Sequence, residues 1–486
     1  MKKSAVIFKT SDELLQKLVD TAEKKCLENI RDFDGISVLV EGGGYSKIWL
    51  ETQPMGGAMY AKRNLETAVN NSWMFIQNQR EDGRFPGSIE CRNGMIVPQF
   101  DKFQGFCFPE EAIDVWYLTE RNPEILLLLR NSLDRFDAYL WKVRDSDQDG
   151  CLETWCRFDT GEDNAARYQD APNAWTRDVP PEGCSVVPIA SMDIMSYSYA
   201  CRRASAEISE ILHDEDSTKR YAKCAKEIAE KIRSYLWSDQ KGALFDRDNR
   251  HRVMPVLLHN TLRAMYWHSI SDEMASRFIS EHLLNPNEFW TQMPLPSVSV
   301  SDPLFRNVST NDWSGQCESL TYQRAIRALE NYGRYELIPQ LGQKLFAAIG
   351  DSCRFVQQFD PFTMEPSLIA LEGEQDCYGP AMLSVMEYAS RMYGVHLVRD
   401  QLVWGTSSLG VEEGSVVEES DYQQIFGNHC FRLHLAGNQA AAYIDGREIF
   451  TSGRDLRVVT DLEGCILRCD ATKEGSGACI LKGDFK

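Results

Sequence analysis

Residues 122–167 read NPEILLLLRNSLDRFDAYLWKVRDSDQDGCLETWCRFDTGEDNAAR. Asn122-Pro123-Glu124 gives an N-cap, a proline at the first helical position and an acid in the first turn, so a helix starts there and runs to about Val143. The next segment, Arg144 to Arg167, is too rich to be a plain connector. Asp145, Asp147, Asp149, Glu153, Asp159, Glu162 and Asp163 fall within it, and Trp155 and Phe158 lie among them. A helix followed by a long polar, aromatic loop is the unit that recurs along the chain.

Thr10-Ser11-Asp12-Glu13 forms a capping box, and Leu15, Val19, Ala22, Cys26 and Ile30 then repeat on one helical face. Further helical patterns cover 60–79, 109–118, 188–211, 217–236, 255–268, 272–283, 315–332, 335–349 and 380–393. They follow one another as antiparallel pairs separated by the segments 80–108, 144–187, 284–314 and 350–379. Loops of that length inside a compact domain are usually functional. From about residue 395 the period changes to two, as in Phe431-Arg432-Leu433-His434-Leu435. Tyr443-Ile444-Asp445-Gly446-Arg447-Glu448 reads as two strands around an Asp-Gly turn, and 457–460 and 465–468 as two more. The expected domains are a helical or irregular lead-in at 1–54, a helical barrel at 55–394 and a β-rich accessory domain at 395–486.

The composition of the 486 residues, 43% hydrophobic and 26% charged, is that of a globular protein. A net charge of −20 offers no general pull on a nucleic-acid backbone or an anionic membrane, so neither is expected as a partner. The apolar run Ile125 to Leu129 is far below the roughly 20 residues that span a bilayer. The opening apolar run ends at Phe8, too short for a secretion signal. Fifteen scattered cysteines without a CxxC pair then read as reduced thiols of a cytoplasmic protein. No phosphate loop or dinucleotide fingerprint occurs, and the eight histidines show no metal spacing. Asp145, Asp147, Asp149 and Gly150 open like a calcium loop, but Cys156 stands at the twelfth position, where a bidentate Glu is needed. No cofactor and no metal are expected, and no oligomeric state is implied.

The chemistry-bearing segment is Thr160-Gly161-Glu162-Asp163-Asn164-Ala165-Ala166-Arg167. A glycine turn can project Asp163 into a cavity, while Arg167 holds a substrate hydroxyl or tunes a carboxylate. Trp155, Phe158, Tyr168 and Trp175 flank it. Carboxylates beside aromatic platforms suit a sugar site, because apolar ring faces stack while the acids bind hydroxyls or transfer protons. A solvated acidic loop is the competing reading of the spacing alone.

Several segments together resemble the inverting (α/α)6-barrel glycoside hydrolases, the group of trehalase, processing α-glucosidase (glycoside hydrolase family 63) and mannosylglycerate hydrolase. The Thr160–Arg167 segment resembles the group's Ser-Gly-x-Asp-x-Ser-x-Arg, which places Asp163 on the general acid. Asp193 in Ser191-Met192-Asp193-Ile194 falls on an Asp at the start of the next inner helix. Leu236-Trp237-Ser238 with Gly242-Ala243-Leu244-Phe245-Asp246 matches a further stretch. Asn311-Asp312-Trp313-Ser314-Gly315-Gln316 resembles the Trp-Arg-Gly-Pro segment, with Ser and Gln replacing Arg and Pro. Tyr378-Gly379-Pro380 sits where the last inner helix begins. The resemblance covers roughly 45–394. It implies an (α/α)6 toroid with a small C-terminal all-β domain, and an inverting glycosidase acting on a small, α-glucoside-like carbohydrate. Arg167, Gln357, Asp360, Trp313, Gln316, Trp155, Asp193 and Tyr378 become the expected substrate-binding residues. Gln79-Arg80-Glu81-Asp82-Gly83-Arg84 and the loop around Trp290 and Met293 are expected at the pocket rim.

One departure matters. The group's catalytic base is a Glu in Glu-x-Tyr-Asn/Asp-Pro, and here Gln357-Gln358-Phe359-Asp360-Pro361 puts Gln357 in that place. Glutamine cannot take a proton from water at neutral pH. Glu365 is the first choice for the base, followed by Asp360 and Glu318. The alternatives are a carbohydrate-binding or regulatory protein that has lost the base, or an isomerase on the same toroid, which the scarcity of loop histidines disfavours.

Overall fold

The computed structural model describes residues 2–367, 376–473 and 480–486. Among these are twelve α-helices: α1 (Glu13–Leu27), α2 (Gln53–Tyr60), α3 (Leu65–Gln77), α4 (Pro109–Leu118), α5 (Pro123–Val143), α6 (Met192–Ile211), α7 (Glu215–Lys231), α8 (Asn260–Tyr266), α9 (Asp272–Phe278), α10 (Ser319–Asn331), α11 (Leu337–Ile349) and α12 (Gly379–Tyr393). The helix expected at 60–79 starts later, as α3 at Leu65, because α2 ends at Tyr60. Asn64 leaves helical geometry and its side chain caps α3 by accepting from Thr67 N at 3.1 Å.

The helices sort into two kinds. α12 buries every residue but Arg391, and α10 is buried nearly all round, whereas α7 buries only Tyr221, Ala225 and Ile228. A helix buried on all sides is surrounded by others, and one with a single buried stripe faces water. The packing agrees. α2 contacts α4, α4 contacts α6, α6 contacts α8, α8 contacts α10, α10 contacts α12, and α12 returns to α2. The odd-numbered helices lie against members of this cycle, for example α3 on α2 and α4, and α11 on α10 and α12.

The C-terminal region forms two antiparallel sheets. One holds Val395–Val398, Gln401–Gly405, Leu456–Asp461 and Ile466–Ala471. The other runs Ser4–Thr10, Glu419–Phe426, His429–Ala436, Gln439–Ile444, Arg447–Gly453 and Ile480–Gly483. Asp445 and Gly446, both at positive φ, make the expected hairpin turn between 444 and 447. The sheets meet where Trp404 packs edge-on to Phe450 at 5.8 Å between ring centroids.

The N-terminal lead-in differs from the expectation. Residues 4–10 are a strand of the second sheet, registered from Ser4 on Phe426 to Thr10 on Ser420. The short Val6-Ile7-Phe8 run carries too little pattern to show a partner four hundred residues away. α1 packs on α12, so residues 1–54 join the body at both ends. Among the described residues no helix is long and apolar enough to cross a membrane. Cys151 and Cys156 are separate, buried thiols. His251 stands beside Asp147 and Asp149 at the surface, while His259 is buried against Trp313.

Candidate active site

A cavity of about 210 Å³ opens where α2, α10 and α12 begin. Helix N-termini carry partial positive charge, so carboxylates and hydroxyl oxygens are favoured there. Glu41, Tyr45, Trp49 and Glu51 come from the segment leading into α2, and Lys102 and Gln104 from the loop before α4. Phe158, Gly161 and Asp163 come from the loop after α5, Trp313 from the loop before α10, Gln357 from the loop after α11, and Tyr378 caps α12.

Asp163 reaches the cavity through the turn at Gly161, whose φ is +74°. A Cβ there would lie 2.2 Å from Glu51 Oε2, so only glycine fits. The turn is stitched to the loop before α10. Trp313 N donates to Asp163 O at 3.0 Å, Asn164 Nδ2 to Asn311 O at 2.7 Å, and Ala166 N to Ser314 Oγ at 2.7 Å. The Asp163 carboxylate accepts from Asn311 Nδ2 at 2.9 Å and Gln104 Nε2 at 3.3 Å. Burial raises its pKa above the ordinary value, partly offset by those two donors and by Lys102.

Glu162 and Asp159 turn away from Asp163. Asp159 pairs with Arg144 at 2.6 Å, and Glu162 pairs with Arg167 and, at 3.5 Å, with Arg263. They belong to a charged layer outside the cavity lining. In it Arg167 also pairs with Asp246, Asn260 Nδ2 donates to Glu162 at 3.1 Å and to Asp193 at 3.0 Å, and Arg263 holds the Thr160 carbonyl. Burial works against the ionised form of Glu162, but Arg167, Arg263 and His259 hold it down to about 2. Asp193 is pushed up to about 7 by burial and by its neighbours Glu162 and Asp246.

The structure thus gathers Asp163, Trp313, Gln357 and Tyr378 around one space. The other expected residues lie outside the lining. Arg167 and Asp193 support the Asp163 turn from the buried layer and do not line the cavity. Trp155 is fully buried, with Arg144 4.2 Å over its ring and its indole N–H donating to Glu153 at 2.6 Å. Gln316 bonds Asn307 at 2.8 Å and Ser367. Asp360 shapes its own loop, accepting from Phe362 N, Thr363 N and Asn307 Nδ2. Glu365 is exposed outside the lining, with its carbonyl taking Asp360 N at 2.9 Å. The Asp360-Pro361 turn carries it outward. Of the rim loops, Arg84 is buried against Phe103, and Arg80 pairs with Asp82 at the surface.

Glu41, Tyr45, Lys102 and Gln104 are among the cavity groups that the sequence reading did not name. Glu41-Gly42-Gly43-Gly44-Tyr45 carries a readable signal, three glycines in a row. A Cβ on Gly42 (φ +76°) would meet Cys377 O at 2.2 Å, so this turn lies directly on the start of α12. Tyr378 OH donates to Glu41 Oε1 at 3.2 Å. Burial pushes Glu41 up to about 8, against the pull of that hydroxyl and with the help of Asp163. Glu51 is engaged by Arg324 and, at 3.6 Å, by Arg263. Asn311 ties the site together: Gln357 Nε2 donates to its Oδ1 at 3.1 Å, and Tyr45 OH donates to Gln357 Oε1 at 3.2 Å.

A family model described as the mannosylglycerate hydrolase MGH1-like glycoside hydrolase domain matches residues 48–375. An uncharacterized protein of Borreliella burgdorferi is 29% identical over 132 residues, 26% of this chain and 27% of that one. That match spans about a quarter of the relative's length. A GH63 mannosylglycerate hydrolase from Thermus thermophilus, solved with glucose, superposes with a TM-score of 0.59 at 16% identity, covering 76% of this chain and 99% of that one. Neutral trehalase from Saccharomyces cerevisiae gives 0.54 at 15% identity, over 73% and 74%. A structure named sialidase gives 0.70 at 11% identity, over 94% of this chain and 41% of that one. At these identities the likeness concerns the fold.

Proposed function

The chain belongs to the mannosylglycerate hydrolase MGH1-like glycoside hydrolase family, and we propose that it hydrolyses the glycosidic bond of a small, α-glucoside-like saccharide or glycoside with inversion. One observation carries this reading: a carboxyl with a raised pKa, Asp163, faces a sugar-sized cavity with aromatic walls at Trp49, Phe158 and Trp313. Such a group keeps its proton longer than an ordinary Asp and can give it to the leaving oxygen. A second carboxylate then activates water on the opposite face, and such pairs stand about 6.5–9.5 Å apart.

The architecture we infer is an (α/α)6 toroid, supported by the closed cycle of even-numbered helices. Its catalytic barrel is taken as 55–394, with 395–486 plus strand 4–10 as the β unit. A groove adjoining the cavity shares Lys102 with it and adds Lys47, Arg80 and Phe100. It is suited to the leaving group, and its charge is mixed, since Asp101 also lines it and pairs with Lys102 at 2.9 Å. Buried thiols such as Cys26, Cys107 and Cys151 support a cytoplasmic location.

The test is a panel of disaccharides, aryl glycosides and glycosyl glycerates, with the anomer of the first-formed sugar followed by NMR. Release of the opposite anomer supports the reading. Sugar binding without turnover, across the whole panel, would replace it with the carbohydrate-binding alternative that Gln357 suggests.

A further inference from the structure

An inverting hydrolase needs a carboxylate to take the proton of the attacking water, and the cavity wall joined to Asp163 through Asn311 presents an amide, Gln357. The carboxylates that line the cavity besides Asp163 are already engaged. Glu51 is neutralised by Arg324 and Arg263, and Glu41 is held by the Tyr378 hydroxyl. One more carboxylate lies beside this wall. Glu318 immediately precedes α10 on the strand Cys317–Glu318, which pairs with Gln358–Phe359, so that Glu318 stands opposite Gln358 and Ser319 N bonds Gln357 O at 2.9 Å.

Glu318 is fully buried. It occupies the N-cap of α10 but makes no capping hydrogen bond. Among the described residues neither of its oxygens has a hydrogen-bond partner. A buried carboxyl group without a partner is rare in folded proteins, so a purely structural role is a poor explanation. Its charged and polar surroundings point to the site. Asp163 and Asp312 are near enough for their charge to act on it, Tyr45 and Tyr378 feel its charge in turn, and Gln357 and Gln358 stand on the strand beside it.

We propose that Glu318 is the general base of this chain, displaced by one strand from the wall position that Gln357 fills. This rests on the hydrolase reading above. In this step the Gln357 amide holds the water at the cavity wall, and the Glu318 side chain, which lies just behind the lining, turns to meet it. Its oxygen attacks the anomeric carbon while its proton passes to Glu318. The bond from that carbon to the leaving oxygen breaks, the electron pair stays on the leaving oxygen, and Asp163 supplies its proton. The turnover ends with Asp163 ionised and Glu318 protonated, and exchange with solvent resets both. Gln357 and Asn311 orient the water and the acid without exchanging protons.

The experiment uses a glycosyl fluoride of the sugar that the full-length protein cleaves, since fluoride leaves without an acid and the step then depends on the base. Glu318→Gln is expected to lower kcat on the fluoride by 10²–10⁴-fold, while Asp163→Asn largely spares it. With Glu318→Ala, added azide should restore turnover and yield the glycosyl azide of inverted configuration. Circular dichroism and sugar binding report whether each variant is folded. A folded Glu318→Gln variant that keeps more than a third of the wild-type rate on the fluoride would overturn the assignment, as would Glu41→Gln alone showing the large loss and the azide rescue. Wild-type protein inactive on every glycoside would instead remove the hydrolase reading, and this assignment with it.

Discussion

Asn311 Nδ2 donates to Asp163 Oδ2 at 2.9 Å, which makes a neutral amide the closest fixed partner of the proposed acid. A cation in that place would strip the acid of its proton. An amide fixes the carboxyl while leaving its raised pKa largely intact, because a hydrogen bond to the ionised form offsets only part of the burial penalty.

Asp163→Asn is therefore expected to lower kcat on unactivated glycosides by 10²–10⁴-fold with little change in sugar affinity or melting temperature. Aryl glycosides with good leaving groups should lose less. Steady-state kinetics on the two substrate classes, beside a binding titration, give the comparison. Equal losses on both would remove the acid role.

Asn311→Ala removes a donor that favours ionised Asp163, so the acid pKa rises further. An acid must be protonated to work, and the alkaline limb of the pH–kcat profile should move to higher pH. The rate at the optimum should fall about tenfold as the carboxyl loses its orientation. A limb that moves to lower pH would contradict the arrangement.

Burial and the nearby carboxylates Asp163 and Asp312 raise Glu318 well above the ordinary carboxylate range. A base works only when ionised, so activity should appear as pH rises through that raised value. The acidic limb of kcat/KM is expected above the usual carboxylate range. A limb near pH 4 would speak against Glu318.

Glu162 has a folded pKa of about 2 against an ordinary 4.5. A depressed carboxyl stabilises the fold fully above its unfolded value and loses that contribution as pH falls. The melting temperature should therefore drop between about pH 4.5 and 2. Arg167→Met leaves Glu162 and Asp246 buried without that partner, and should cost about 3–5 kcal/mol in urea unfolding at pH 7. A loss below about 1 kcal/mol would show that the layer tolerates the gap.

Deleting residues 2–11 removes an edge strand and the buried Phe8 from the larger sheet. The exposed Glu419–Phe426 edge should promote self-association, visible by light scattering, and the melting temperature should fall by several degrees. A monomeric truncation with unchanged melting would show the strand to be dispensable.

Much of this molecule was legible from the sequence where local chemistry and tertiary role coincide. The Asn122-Pro123 start of α5, the Asp445-Gly446 turn and the alternation at 431–435 depend on neighbours in sequence. Asp163, Trp313 and Tyr378 line the cavity, and each sits in a short pattern beside a turn. Arg167 and Asp193 were misplaced because a sequence shows that a polar side chain is near a site, but not whether it points into the cavity or into the layer beneath. Glu365 failed for a similar reason: the turn at Asp360 sets its direction. Glu41 and Tyr45 lie in a glycine turn without periodicity, and their partners Tyr378 and Gln357 are more than three hundred residues away.

The strand at 4–10 also sets an order of events during synthesis. Its partner, 419–426, leaves the ribosome only after nearly the whole helical body has been made. Until then the first seven-residue strand has no edge to join, and α1 must wait almost as long for α12. The N-terminus is in this sense the last piece to be placed. A nascent chain halted anywhere before residue 419 carries an unpaired strand at its front end, open to chaperones or to other copies of itself.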